Sequence, residues 1–426
     1  MLRSLCGHIG RIPIKTLSSP TGFLLTRRFT SQPTGNMASA WKRATSDVID
    51  FGIGQPSKNL LPMDLISDAV SDVAKRCRND TFDVRDVLQY GDNSGQAPVL
   101  ESIAKWLSKE YESDVSADRL FLTNGSSSAL EIVCATLTQP GDLVLIEDPT
   151  YFLALSVFND HSLRCLPVPA DHNGLDLEAL EDILDQNPEV KFIYTIPSYG
   201  NPSSSTMPLS ARKKFAAILE KRKLLAVTDD VYQSLYFPTP TGVSQKPPSV
   251  MSSICPDWCI SLGSFSKLLA PGLRFGWVQS PERVHSAIQN RGYVNSGGGL
   301  HPFAGAIVYS LVESGRFDVH LDALRKTLGE RKGAMCEALR VGLAGTDVTF
   351  TDSDGGYFVW LTCPGRDMTA LMVDCKEAGV SYTPGSKASV DGKAHGHCAR
   401  LSFAYYNIDE IQLGIDRLCT VLKKQT

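Results

Sequence analysis

Nowhere in these 426 residues does an apolar run approach the ~18 residues of a membrane-spanning helix, so a helical membrane bundle is excluded as the organising principle. There is no CxxC pair either. The eleven cysteines are odd in number and scattered singly, and the closest two, Cys255 and Cys259, have no histidine near them. That usage fits a reducing compartment and argues against a zinc site. Positive charge is not in excess: 42 Lys and Arg face 46 Asp and Glu, for a formal net charge of −4. A protein that holds nucleic acid by neutralising its phosphates would be more basic. Internal repeats and low-complexity tracts are missing as well. What remains is an ordinary soluble composition, 42% hydrophobic and 21% charged with a mean hydropathy of −0.08. The length exceeds the ~250–300 residues at which one core usually stops growing, so a main domain and a smaller one are expected.

One absence is local. From Met1 to Ser46 there is no acidic residue, while Arg3, Arg11, Lys15, Arg27, Arg28, Lys42 and Arg43 are basic and Ser and Thr are frequent. This segment resembles a mitochondrial presequence, with "RRFTS" (Arg27 to Ser31) as a processing point, which places the mature protein in the mitochondrial matrix. A basic tail carrying no address, and hence a cytoplasmic protein, is the alternative. The apolar stretches "IGRIPI" and "FLL" are too short and broken for a secretory signal.

Beyond it, short apolar β-branched runs alternate with helical patterns. "RLFLT" (Arg119 to Thr123), "DLVLIED" (Asp142 to Asp148), "KFIYTI" (Lys191 to Ile196), "LLAVTDD" (Leu224 to Asp230), "CISL" (Cys259 to Leu262) and "FGWVQ" (Phe275 to Gln279) read as buried strands. Amphipathic stretches such as Ser127 to Leu137 and Ser210 to Lys221 suit crossover helices. The alternation predicts an α/β fold, a mostly parallel sheet flanked by helices. From about His301 long helical segments dominate, with "TDVTF", "GGYFVWL" and "ARLSFA" as strands of a smaller α+β domain. The expected division is therefore a presequence at 1–30, an N-terminal arm at 31–60, a large domain at 61–300 and a small C-terminal domain at 301–426.

In such a sheet, ligands bind beyond the carboxyl ends of the strands. After "RLFLT" comes a Gly turn with Gly125, Ser126 and Ser127, where free N–H groups at a helix start could hold a phosphate, though serine there is by itself only a cap. Tyr151 follows "DLVLIED", Asn201 follows "KFIYTI", and Asp229 and Asp230 close "LLAVTDD" with Tyr232 just after them. An Asp tailing an apolar strand is costly to bury unless it meets a cation or a strong donor. Then "SLGSFSKLLAPGLRFGW" supplies Ser264, Ser266, Lys267 and Arg274. A lysine among apolar neighbours loses hydration, which lowers its pKa and yields the amine a Schiff base needs. An arginine and two serines suit a phosphate, an acid suits a protonated ring nitrogen, and an Asn and a Tyr suit a ring hydroxyl. The common ligand that asks for all of these is pyridoxal 5′-phosphate (PLP).

Those stretches, with "QYGDNSGQAPVLE" (Gln89 to Glu101), "PSYGNPSSST" and "ARLSFAYYN", resemble in composition and order the fold-type I, class I/II PLP-dependent aminotransferases. The resemblance is nearest to the branch of 2-aminoadipate and kynurenine aminotransferases and covers nearly everything after Phe51. It implies amino transfer from an L-amino acid to a 2-oxo acid, with 2-oxoglutarate the expected acceptor. Lys267 would hold PLP as an aldimine and move the proton between Cα and the cofactor, which passes through its pyridoxamine form. Asp229 would keep the ring nitrogen protonated, and Asn201 and Tyr232 would bond the ring hydroxyl. Gly125, Ser126, Ser127, Ser264, Ser266 and Arg274 would take the phosphate, and Tyr151 would cover the ring. Tyr90 would reach the phosphate of a second subunit, which implies a homodimer. Arg400 would bind the substrate carboxylate, with Gly54 and Asn201 beside it. The family commonly has Gly where this chain has Ser204, and the branch often has Gln where it has Ser127. PLP lyases and synthases share this scaffold and stay open as an alternative, as does a PLP-binding regulator, although the segment before Phe51 is short for the DNA-binding domain such regulators carry.

Overall fold

The computed structural model describes residues 47–78, 87–238 and 245–424. The expected presequence at 1–30 and the arm as far as residue 46 lie outside the described residues.

Strand β1 (Ile49–Asp50) opens the described chain, and eight strands follow for the large sheet. They are β2 (Leu120–Thr123), β3 (Leu143–Asp148), β4 (Arg164–Asp171), β5 (Gly174–Leu175), β6 (Phe192–Thr195), β7 (Leu225–Asp229), β8 (Cys259–Ser264) and β9 (Gly276–Gln279). Their spatial order is β2-β9-β8-β7-β6-β3-β4-β5. The central pairs β8-β7, β7-β6, β6-β3 and β3-β4 are parallel, while β9 runs antiparallel to both β2 and β8. Helices such as Ser126–Leu137 and Leu209–Arg222 connect the strands and flank the sheet. Covered on both faces, β2, β6 and β9 have every residue buried, which is why they read as apolar runs and not as alternating ones. Each Val, Ile, Leu or Phe so buried contributes ~1.5–3 kcal/mol.

The antiparallel β9 matters for the site. Gly276 lies opposite both Thr123 and Ser264. The start of β9 therefore sits at the ends of β2 and β8, and Arg274 arrives beside the residues that follow them.

Strand β4 is not foreseen by the sequence reading, because its "LPVPAD" run carries Pro167 and Pro169. The Arg164 N–H donates to Asp142 O on the β3 side, whereas the Pro169 carbonyl accepts from Asp176 on the other. Alternate residues share a side, so both prolines turn their missing N–H away from β3, where the parallel ladder makes no demand on it.

After the large sheet come the helices Pro302–Glu313 and Arg316–Gly342, then β10 (Thr349–Phe350), β11 (Phe358–Thr362), β12 (Val380–Ser381), β13 (Thr383–Pro384) and β14 (Cys398–Ser402). A four-stranded sheet has the order β10-β11-β14-β13, with Arg400 opposite both Trp360 and Thr383. β1 pairs in parallel with β12, and Ser402 N–H donates to Phe51 O. The Gly52–Gly54 segment is thereby laid beside Arg400. One continuous hydrophobic cluster takes in Phe121, Phe265, Leu328 and Phe358, and so joins the large sheet to the C-terminal elements.

Candidate active site

Five strand ends of the large sheet, the Lys267 turn, β14 and the segment after β1 build the site. Asp229 closes β7, and Ser264 closes β8 just before the Lys267 turn. Gly125, Tyr151 and Asn201 follow β2, β3 and β6.

Asp229 is 6% exposed, and its Oδ2 accepts from Tyr194 Oη at 2.8 Å. Among the described residues its buried Oδ1 has no hydrogen-bond partner. Burial pushes the carboxyl up to about 7 against the Tyr194 hydrogen bond, and the neighbouring Asp230 raises it further. Asp230 itself is held by the hydroxyls of Thr228 and Ser261 at 2.7 and 2.5 Å. Lys267 is half-buried, and its Nζ donates to Gly54 O at 2.8 Å and lies 5.3 Å from the Tyr357 ring centroid. Burial lowers its pKa to about 8, with Arg400 and Arg274 acting in the same direction. The Tyr357 hydroxyl donates to Lys267 O at 3.1 Å and fixes the turn that carries the amine.

Arg400 is 3% exposed. Nη1 donates to Asn201 Oδ1 at 2.9 Å, and Nη2 donates to Gly52 O at 2.8 Å and to Thr383 Oγ1 at 3.2 Å. Its Nε is buried without a partner, and the guanidinium lies 4.2 Å from the Phe358 ring centroid. Among the described residues no carboxylate forms an ion pair with this buried guanidinium, which is costly, and burial does lower its pKa. Gly54 faces it: a Cβ there would stand 3.2 Å from the Phe358 ring and 3.3 Å from Arg400 Nη2. Tyr232 is buried against the rings of Tyr357 and Phe358, at 5.7 and 5.8 Å. Tyr151 begins the helix Phe152–Asp160, and burial pushes its phenol up to about 12, with the charge of Asp229 adding to the effect.

The other end of the cleft is cationic. Gly125 caps the helix Ser126–Leu137 with φ of 86°, a left-handed value that favours glycine. A Cβ there would come within 2.8 Å of Arg274 Nη2. Arg274 donates to Asn124 O at 2.9 Å and to Ser266 Oγ at 3.4 Å. Exposed Ser127 and half-buried Ser126 open the helix, whose free N–H groups and dipole favour an anion. Ser264 differs from the rest of this group. It is 1% exposed, and its Oγ donates to Ser266 Oγ at 2.9 Å and accepts the Ser266 N–H at 3.0 Å, so it shapes the turn behind Ser266.

The fold thus gathers Lys267, Asp229, Tyr232, Tyr151, Asn201, Arg400 and Gly54 at one end, and Gly125, Ser126, Ser127, Ser266 and Arg274 at the other, with Ser264 beneath. Tyr90 stands apart: it is 76% exposed, and among the described residues its recorded hydrogen bond runs from its own N–H to Gln89 Oε1. Tyr194 and Tyr357 are functional neighbours that the sequence reading missed. For Tyr194 the available signal was a hydroxyl inside an otherwise apolar strand. It pairs with Val227, two residues before Asp229, which puts it on the diagonal where long side chains meet.

PLP, the cofactor implied by the resemblance, fits these residues. The unpartnered carboxylate oxygen of Asp229 suits a protonated ring nitrogen. The glycine cradle at Gly125, Arg274 and the helix start suit its phosphate, and the amine of Lys267 suits its carbonyl carbon.

Comparison with known proteins agrees. The sequence model of the family described as aminotransferase class I and II matches residues 46–418. The chain is 30% identical to an aromatic-amino-acid aminotransferase of Thermococcus litoralis, over 89% of each chain. It is 32% identical to a 2-aminoadipate transaminase of Thermus thermophilus, over 88% of this chain and 90% of that one. Among solved structures it is similar to a Pyrococcus horikoshii kynurenine aminotransferase in complex with PMP, with a TM-score of 0.79, 29% identity, and coverage of 93% and 98%. With the family matched over most of its length and the lysine, acid and arginine gathered in one cleft, this chain belongs to the class I and II aminotransferases and is a PLP-dependent enzyme of that family.

Proposed function

We propose that the protein moves the amino group of an aromatic or 2-aminoadipate-like L-amino acid to 2-oxoglutarate, releasing the matching 2-oxo acid and glutamate. The observation that carries the amino acid reading is the Gly52–Gly54 backbone. Arg400 donates to Gly52 O and Lys267 donates to Gly54 O, so a carboxylate-binding guanidinium and a reactive amine stand two residues apart on one strand of chain. The two hydrogen bonds set the guanidinium and the amine along one short segment, an arrangement suited to an α-carboxylate at one and the reacting Cα near the other. The donor class comes from relatives and neighbours named for aromatic amino acids, 2-aminoadipate and kynurenine.

PLP, when bound, supplies a ring that withdraws electrons from the substrate Cα. Asn201 and Arg400 orient the substrate carboxylate. Arg274, Ser266 and the helix at Gly125 anchor the phosphate. Asp229 would hold charge against the ring nitrogen, and Lys267 Nζ as a free amine, its pKa lowered by burial to about 8, would take the Cα proton and pass it to the cofactor close to neutral pH. Tyr151 would cover the ring, and Tyr232 with Asn201 would bond its hydroxyl.

The test is a donor screen of the PLP-loaded enzyme with single L-amino acids and no acceptor. Loss of the visible cofactor band with one equivalent of oxo acid formed, and recovery on adding 2-oxoglutarate with glutamate produced, is the expected result. Steady release of ammonia or thiol with the band retained would instead establish the lyase alternative.

The protein acts in this reading as a homodimer in the mitochondrial matrix. Supporting the dimer, Leu88, Tyr90 and Tyr293 have exposed side chains, Tyr293 on the short helix Gly292–Gly297, and their two segments are joined by Gly299 N–H to Gly91 O and by Asn93 to Asn295. Supporting the address is the acid-free, basic stretch before Asp47. A reporter fused to residues 1–37 should enter mitochondria, and a cytosolic reporter would refute the address.

A further inference from the structure

The loop from Pro197 to Met207, which carries Asn201, is fastened at its base by one buried side chain. Arg212 donates through Nη2 to Pro197 O at 2.8 Å and Ser198 Oγ at 2.7 Å, and through Nε to Met207 O at 2.8 Å. Its tip is fastened differently. Ser204 has φ of 56°, a left-handed conformation that strains a serine and that glycine adopts freely. It is 3% exposed, and its Oγ donates to Phe358 O at 2.5 Å. Thr351 Oγ1 adds a second thread, donating to Ser203 O at 3.1 Å.

The Phe358 carbonyl needs such a donor. Phe403 N–H bonds Tyr357 O toward β14, so the carbonyl of the next residue points to the opposite side of β11. There β10 pairs only with Leu361 and Thr362 and leaves Phe358 without a strand partner. The same residue forms a wall of the site, since its ring lies against Arg400, Tyr232 and the face of Gly54.

We propose that Ser204 is a positioning residue for the substrate carboxylate: its hydroxyl ties the Asn201 loop to Phe358, and so fixes Asn201 and the Phe358 wall relative to Arg400. The strained backbone is the cost of placing a hydroxyl at that point. The hydroxyl acts through Asn201 and Phe358 and does not touch substrate. This proposal rests on the reading of Arg400 as the carboxylate-binding residue.

The experiment compares Ser204→Gly, Ser204→Ala and Arg400→Ala in the full-length, PLP-loaded enzyme, measuring kcat, KM for both substrates and thermal midpoint. Ser204→Gly removes the hydroxyl and relieves the backbone strain, so it folds, while Ser204→Ala removes the hydroxyl alone. Both should raise KM for amino acid and oxo acid roughly three- to tenfold, with kcat within about twofold and the cofactor absorbance unchanged. Arg400→Ala should lose far more. If both serine variants keep the parent KM while Arg400→Ala loses activity, the Ser204 bond is structural only and the proposal is overturned. A fall in kcat with KM unchanged would overturn it equally. If Arg400→Ala itself leaves KM unchanged, the carboxylate reading beneath the proposal fails.

Discussion

Asp229 and Lys267 are shifted in opposite directions by one cause, burial, and both end close to neutral pH, at about 7 and about 8. For the acid, the hydrogen bond from Tyr194 is the main force acting against burial, because a donor stabilises the charged form. Removing it in Tyr194→Phe raises the carboxyl further, so the charged acid exists only at higher pH. In the cofactor-free protein the acid limb of the profile of PLP affinity against pH should then move upward by roughly one unit, with little change at pH 9. A profile that falls uniformly at every pH would show that Tyr194 only fills space. Of this residue-level detail, the sequence showed the acid and the lysine, because each stood out chemically at the end of an apolar run. It could not show Tyr194, whose hydroxyl matters only once β6 and β7 are in register. Nor could it show what Ser204 bonds, although a serine in the family's glycine position marked that place as unusual.

At the level of elements, the phosphate end depends on a helix start and a reversed strand. The Gly125 turn leaves room for Arg274, which enters there because β9 runs antiparallel to β2 and β8. Gly125→Ala forces a Cβ into the left-handed turn and against the guanidinium. PLP affinity, measured by equilibrium titration of the cofactor-free protein, should weaken roughly tenfold or more, as loss of a charge-assisted hydrogen bond would bring. An unchanged affinity would remove Arg274 from the phosphate site. Six strands were legible as buried apolar runs, because the central strands are covered on both faces. β4 was not, since its prolines are disallowed in a central strand and tolerated only where their N–H faces away from the neighbouring ladder.

At the scale of the whole molecule, contacts distant in sequence assemble the site. Gly52 and Gly54, near the start of the described chain, meet Arg400 near its end and Lys267 between them. The order of motifs made this cleft legible, whereas spacing alone could not say which backbone atoms Lys267 and Arg400 would meet. Tyr90 is the residue the single chain leaves outside. In the dimer reading it becomes buried, so sedimentation should give twice the chain mass, and Tyr90→Ala should weaken PLP binding. A monomer with full cofactor affinity would contradict that reading. In the proposed reaction Lys267 is the amine that holds the cofactor, and borohydride reduction of the PLP-loaded enzyme followed by peptide mass spectrometry tests this. The reduced cofactor's mass should appear on the peptide containing Lys267, and Lys267→Ala should hold no fixed cofactor. Cofactor fixed to another lysine, or retained in Lys267→Ala, would contradict it.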